Sequence, residues 1–427
     1  MTTPISIFYI WNGDDERNGG VDIRQKIKIV YPKDKEYKKI NKLIFDTDYK
    51  KGTHFNKHRY ELAKYIPEWN YDGSSTNQAR GDDSEVILKP VYAVVPCNSD
   101  SYHNYSSNTS IYAWCECMKR DDETGEIVPI RSNRRAACRE VCEAEAVRKT
   151  VREPWFGFEQ EFFFTRTDSE GNQAPYGYRS IMDKQEKTKE DTEFAERQGL
   201  YYCGSSHQNV EETDFMIRLS CRLISMGIRI SGVNAEVAPS QWEIQVGPVE
   251  GIEAADQIWM ARYVMKTMVC HSGMRINFEP KPFKSLVDRY GDSHDINGSG
   301  MHTNFSTKAM RKKKGMTEEN IERYMKAFEA SHEDHIKVHG KNNEARMTGD
   351  CETSSLGKFT YGIADRGASI RISRETSENE RGYFEDRRPG SNADPYDIVR
   401  LFMETMSSVV HNDSNDDDDV SDTIEKQ

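Results

Sequence analysis

No run of eighteen or more apolar residues occurs in the chain, which excludes a membrane-spanning helix. The first seven residues, Met1 to Ile7, lack a basic region leading into an apolar one, so a secretory signal is not expected. Cysteine is present nine times but never as C-x-x-C. Cys115 with Cys117, and Cys138 with Cys142, find no Cys or His partners at zinc spacing, which points to reduced thiols in a cytoplasmic protein. Positive charge is in deficit: 59 Lys and Arg against 71 Asp and Glu leave a net charge of -12. That balance argues against a general nucleic-acid binder. Part of it is local, because Asp413 to Asp419 opens a run of acids in a tail (411–427) that reads as solvated and disordered. Apolar residues make up 36% and the mean hydropathy is -0.83, a hydrophilic chain even for a soluble protein.

What is present has an order. The chain is long enough for two or three domains. Residues 5–31 alternate apolar and polar positions and read as short strands. Residues 32–66 are charged and Lys-rich, an expected exposed excursion or insertion. Strands resume at 85–95 and 111–117, and the turn-forming Asp121 to Glu126 marks a boundary. A helix is expected over 132–150 with Ser132 as its cap, and further helices near 209–226, 252–272, 316–338 and 394–408. The pattern is α+β: an N-terminal β domain (5–122) and a larger catalytic domain (128–410).

The chemistry concentrates on strands with one polar face. Glu159 and Glu161 stand two apart in the run Trp155 to Phe164, so they project together while Phe158, Gln160 and Phe162 point the other way. Parallel carboxylates on an otherwise apolar strand raise each other's pKa unless a cation joins them. A second acidic strand, Gln241 to Val246, places Glu243 and Gln245 opposite Trp242, Ile244 and Val246, and a hairpin through Pro239-Ser240 brings Glu236 beside Glu243. Glycine-rich Asn297-Gly298-Ser299-Gly300 leads to His302, and Tyr383 to Arg388 puts Glu385 and Arg387 on one face. If these segments converge, five carboxylates and one imidazole line a cavity. The Coulomb penalty is several kcal/mol even at an effective dielectric of about 20, and two or three divalent ions would offset it. Oxygen-dominated ligands favour Mg²⁺ or Mn²⁺ over zinc.

Each piece alone has a plainer reading. A single E-x-E is usually a solvated edge, and a His after glycines is usually a turn residue. Recurrence, together with Arg346, Arg366, Arg371 and Arg387 within about forty residues, shifts the balance, since guanidinium groups suit carboxylates and phosphates. Divalent ions on one side and arginines on the other suit phosphoryl transfer. Arg374 and Arg388 are read as structural. Three features are set aside: His332 and His335 as a surface feature of a polar helix, Arg311 to Lys314 as a solvated patch, and Gly298 to Gly300 as no Walker loop.

With these residues in hand, the chain resembles the glutamine synthetases of the eukaryotic type II group. The resemblance rests on Trp69 to Thr76, Trp155 to Glu161, Val233 to Glu243, Asn297 to His302 and Gly382 to Pro389, in the family's order over roughly 7–405. It implies a β-grasp N-terminal domain and a catalytic domain with a curved antiparallel sheet forming half a barrel. It also implies a homo-oligomer of stacked rings, a decamer, with active sites between subunits. Glu161, Glu236 and Glu243 would hold one metal at the glutamate side, and Glu159, His302 and Glu385 another at the nucleotide phosphates. Arg346, Arg366 and Arg387 would grip glutamate and the transferred phosphoryl group, Arg371 the nucleotide phosphates, and Asn297 and Gly298 the substrate. Trp155, Pro248, Asn304, Ser306 and Tyr383 fall at nucleotide positions. The implied reaction uses ATP to make γ-glutamyl phosphate from L-glutamate, which ammonium, deprotonated by a neighbouring subunit's Asp72, converts to glutamine. Glu352 resembles the flap residue that shields the intermediate. Cys351 departs from the usual flap histidine, and 32–66, 283–296 and the tail are longer than the family pattern. A ligase acting on another amine, or a relative without catalysis, are the alternatives.

Overall fold

Alternation at the start of the chain pairs two strands, and the rest of the fold grows from the same rule of period two. A computed structural model describes residues 4–14, 21–31, 39–40, 43, 57–96, 109–167, 173–176, 201–205, 210–270, 273–287, 293–349 and 354–409. The first sheet comprises β1 (Ile5–Asn12), β2 (Ile23–Val30), β3 (Trp69–Asp72), β4 (Glu85–Val94), β5 (Thr109–Arg120) and β6 (Ile127–Pro129). Its order is β2-β1-β5-β4-β3, with β6 on β5; β1 and β5 run parallel and the other pairs antiparallel. Along β1, Ile5, Ile7 and Tyr9 enter a small core with Val86, Leu88 and Ile111. Ile10, on the other face, joins the main core of the molecule.

The expectation of an exposed excursion fails for 57–66. A helix, Lys57–Ala63, lies on β4, and Leu62, Ala63 and Ile66 close the small core while Arg59 is buried. Apolar residues four apart sufficed to dock it, and the surrounding charge concealed them. Residues 32–38, 41–42 and 44–56 of that stretch, and the tail from 410, lie outside the described residues. The turn at Asp121 forms, its carboxylate accepting from Glu123 and Thr124, but β6 follows it, so the first sheet continues to Pro129.

The second sheet has nine strands curled into half a barrel. It contains β7 (Trp155–Thr167), β8 (Gln173–Pro175), β9 (Ile230–Ala235), β10 (Gln241–Glu250), β11 (Arg275–Asn277), β14 (Met301–Ser306), β15 (Tyr361–Ile363), β16 (Ile370–Ile372) and β17 (Phe384–Asp386), while β12 (Ser285–Val287) and β13 (Ser293–Asp295) form a separate hairpin. The path is β15-β16-β17-β14-β7-β10-β9. On β7, Phe156, Phe158, Phe162 and Phe164 drop into the main core, and Phe163 turns to the other side against Phe283 and Ile296. Helices Val210–Ser225, Ile252–Val269, Glu318–Ala330 and Pro395–Ser407 cover the apolar face.

Two expected helices are broken. The first runs Arg134–Glu143 and then Glu145–Thr150, and its cap is Asn133, which accepts from the Ala136 amide; Ser132 instead accepts from Gln78. The helix expected over 316–338 is Glu318–Ala330 and His332–Val338, separated at Ser331. This second break corrects the reading of His332 and His335. His335 is buried between the Phe328 and Phe402 rings and bonded to Thr405. His332 meets the Arg388 guanidinium at 2.8 Å. Helical period turns this face inward, against the helix Pro395–Ser407, whatever the charge of its neighbours.

Candidate active site

Register alone assembles the polar face of the curled sheet. Residues directly opposite on paired strands share a face. Glu161 lies opposite Glu243, and Glu159 is flanked by Gln245 on one side and His302 on the other. Asn304 lies opposite Glu385, and Glu385 opposite Arg371. Glu236 follows the end of β9, where its amide donates to the Gln241 carbonyl. The expected hairpin forms, and oxygens of Glu161, Glu236 and Glu243 lie within 4.8 Å of one another. Glu159, Glu243 and His302 make a second such group. Glu385 is close as well: His302 Nδ1 is 3.4 Å from Glu159, 3.5 Å from Glu385 and 3.8 Å from Glu161.

Burial of like charges governs the electrostatics. Glu161 is 6% exposed, and burial, with Glu236 and Glu243 beside it, holds its carboxyl well above the usual range. Burial and the Glu159 charge push Glu243 up to about 8. Burial and the nearby Arg387 keep His302 neutral, the form in which imidazole binds metals. A set dominated by carboxylate oxygens, with the Glu161 and Glu243 carboxyls raised by burial and by the company of other acids, fits hard divalent ions.

The arginines surround this set in different ways. Arg387 and Arg371 pair with opposite oxygens of Glu385, at 2.7 and 2.5 Å. Buried Arg346 donates to the carbonyls of Arg387, Arg388 and Pro389 and to the Asn343 side chain, so it also braces the loop that carries its neighbours. Arg366 is exposed at the rim, its carbonyl accepting from Arg387. Arg388 is structural, as expected, in a fully buried pair with Asp386 at 2.7 Å.

The glycines after Asn297 bring backbone against the acids. The Gly300 amide donates to Glu161 at 2.7 Å, and a Cβ at Gly298 would collide with Pro280 and Arg346. Trp155, Ser306 and Pro248 lie toward one end of the sheet, where Pro248 sits at a register shift in β10. Trp155 and Tyr383 are 40% and 47% exposed, an uncommon state for large rings and one that suits a base. Asn304 donates to Glu159 at 2.8 Å.

Asp72 lies apart, at the end of β3 in the first sheet, where Ser74 and Ser75 hydrogen-bond its carboxylate and hold its pKa down. Glu352 and Cys351 lie outside the described residues. Three residues escaped the sequence reading. Gln241, two positions before Glu243 and so on its face, donates to Glu161 and to the Gly298 carbonyl; period two would have found it. Tyr202 is exposed, with its phenol pKa raised by partial burial and then by Glu236. Arg311, read as part of a solvated patch, lies 3.8 Å over the Trp155 ring and donates to Ser306 and Glu153. A long-range stacking partner leaves no local signal.

One further cluster, His335, His339 and Asp386, has ligand-type atoms within 4.8 Å. Arg388 already takes both Asp386 oxygens, and its charge disfavours a second cation there.

A family model described as glutamine synthetase, catalytic domain, matches residues 131–337. A Neurospora crassa glutamine synthetase is 42% identical over 82% of this chain and 85% of its own. One from Colletotrichum gloeosporioides is 41% identical over 81% and 85%, and the root isozyme 3 of Zea mays 38% over 80% and 85%. A Plasmodium falciparum glutamine synthetase solved by cryo-EM shares the fold, with a TM-score of 0.65 and 17% identity over 94% of this chain and 71% of that one. With relatives this similar over four-fifths of its length, the chain belongs to the glutamine synthetase family.

Proposed function

We propose that the protein joins ammonium to the γ-carboxylate of L-glutamate, with ATP as phosphoryl donor, to give L-glutamine, ADP and phosphate. The observation that carries the reading is the meeting, on one sheet face, of the Glu161, Glu236 and Glu243 oxygens with arginines bound to Glu385. Glu161, Glu236 and Glu243 would hold one divalent ion beside glutamate. Glu159, His302 and Glu385 would hold a second at the nucleotide phosphates, with Glu243 in reach of both. Mg²⁺ or Mn²⁺ bound there neutralises negative charge on carboxylates and phosphates.

The chain's own groups do the rest. Arg346, Arg366 and Arg387, with Asn297 and the Gly298 backbone, orient the glutamate carboxylate toward the γ-phosphorus; Arg371 steadies the nucleotide phosphates. Trp155, Tyr383, Pro248, Asn304 and Ser306 hold the nucleoside. A γ-carboxylate oxygen bonds to the γ-phosphorus as the bond to ADP breaks. Asp72, its carboxyl ionised well below neutrality, accepts a proton from ammonium, and the resulting ammonia attacks the acyl carbon and expels phosphate. Glu352, on the segment after Gly349, covers the acyl phosphate against water. Asp72 stands in the first sheet, apart from the acids, so it is delivered by a neighbouring copy in a ring-shaped homo-oligomer. Exposed Ile27 and Ile29 on edge strand β2, with Tyr31 just past its end, are apolar surface of the kind a neighbour covers.

The test is glutamine formation by the purified chain from glutamate, ammonium and ATP. It should require added Mg²⁺ or Mn²⁺ and stop with excess chelator. Unchanged turnover under chelation would contradict the reading.

A further inference from the structure

Glu212 is a buried carboxylate that the reaction above does not use. It sits in the first turn of the helix Val210–Ser225, 1% exposed. It accepts from the Ser240 hydroxyl at 2.7 Å and from Trp242 Nε1 at 2.8 Å. A carboxylate taken out of water is tolerated only where its oxygens are well bonded, so these contacts decide how Glu212 is held.

Both donors flank Gln241. Ser240 has a φ of 59°, in the left-handed region that residues other than glycine rarely adopt. Its turn carries the chain from Glu236 into β10. Within that turn the Glu236 amide donates to the Gln241 carbonyl, and Gln241 Oε1 accepts from the Ala238 amide. On β10, Trp242 faces the helix while Gln241 and Glu243 face the acids. By holding residues 240 and 242 from behind, Glu212 fixes what lies between and beside them. Those residues are Gln241, which donates to Glu161, and the two acids Glu236 and Glu243.

We propose that Glu212 is a positioning residue for the divalent-ion site formed by Glu161, Glu236 and Glu243, setting its affinity through the Ser240 and Trp242 hydrogen bonds. The inference rests on the metal reading above. Groups that orient metal ligands typically change metal affinity 10–100-fold when removed.

The test is Mn²⁺ binding by the full chain, followed by electron paramagnetic resonance, beside the Mn²⁺ dependence of turnover and thermal unfolding. In Glu212→Gln the amide oxygen accepts from Trp242 and the NH₂ donates to Ser240, so affinity should stay within about 2-fold of the unaltered chain. Glu212→Ala should bind Mn²⁺ about 10-fold more weakly or worse, with turnover restored at saturating Mn²⁺. Ser240→Ala removes one of the two bonds and leaves the Trp242 bond to Glu212 in place, and should weaken binding about 3-fold or more. Unchanged affinity in folded Glu212→Ala would overturn the proposal. So would a Gln variant as weak as Ala, which would make charge the cause, or turnover that stays low at saturating Mn²⁺. Should Glu212→Ala fail to fold, Ser240→Ala decides by the same affinities. If the unaltered chain binds no Mn²⁺, the underlying metal reading falls with it; binding that ignores Glu212 and Ser240 sinks this inference alone.

Discussion

Glu161 is the residue on which the site turns. It is paired across strands with Glu243, touched by the Gly300 amide and bonded by Gln241. On the proposed function, Glu161→Ala or Glu243→Ala would take a metal-holding carboxylate from a buried cluster of like charges, so the protein should stay folded while turnover falls by about 100-fold or more; circular dichroism and a glutamine assay on the same sample check both halves. The raised carboxyls set a pH dependence. With Glu243 at about 8 and Glu161 also raised, the metal-free site carries protons at pH 7. A divalent ion must displace them, so its affinity should fall as pH drops below 8 and binding should release protons. Calorimetry of Mn²⁺ binding in buffers of different ionisation enthalpy reads that release; proton uptake on binding would contradict it. At this scale the carboxylates were legible, because period two carried Glu159, Glu161, Glu243, Glu385 and Arg387 onto one face. Arg311 over Trp155 and the carbonyl grip of Arg346 were not, because each joins segments distant in sequence whose meeting no local pattern encodes.

Elements were legible in kind and less so at their ends. The helices at Val210–Ser225, Ile252–Val269 and Pro395–Ser407 fall where apolar period placed them. The breaks at Ala144 and Ser331 were missed because neither site carries Gly or Pro, the usual punctuation. The helix Pro395–Ser407 is capped by Asp394, whose side chain accepts from the Tyr396 amide and from Trp259. Burial, and then Asp397, pushes the Asp394 carboxyl up to about 7. Its folded pKa lies above the unfolded value, so the folded state gains from its protonation at low pH and loses that gain as pH rises from about 4 to 7. Asp394→Asn keeps an accepting oxygen without the charge. The unfolding midpoint of Asp394→Asn should exceed that of the unaltered chain at pH 8 and match it near pH 4. An equal or lower midpoint at pH 8 would show that Asp394 is stabilising as an anion.

On the scale of the whole molecule, the two sheets are bolted together through buried charges. Arg135 donates to Asp256 and Glu116, and Tyr60 and Tyr396 also donate to Asp256. Among the described residues, no helix is long and apolar enough to cross a membrane. The lock fixes the first sheet, and Asp72 with it, relative to the chain's own acids, and the proposed delivery of Asp72 by a neighbouring copy can be tested by mixing variants. Asp72→Asn and Glu161→Ala should each be nearly inactive alone. Unfolded together and reassembled, they should regain part of the activity, because some sites then receive Asp72 from one chain and Glu161 from the other. Failure of mixtures to regain activity, with mixed assemblies present, would place Asp72 in the site of its own chain or outside the reaction.

In the proposed reaction the acidic and basic face transfers phosphate to a carboxylate before nitrogen enters. Glutamate carrying ¹⁸O in its γ-carboxylate, turned over with ATP and ammonium, tests it directly. One labelled oxygen is expected in each phosphate released, since the acyl carbon keeps one oxygen and the departing phosphate takes the other. Phosphate without label, alongside labelled glutamine, would contradict it.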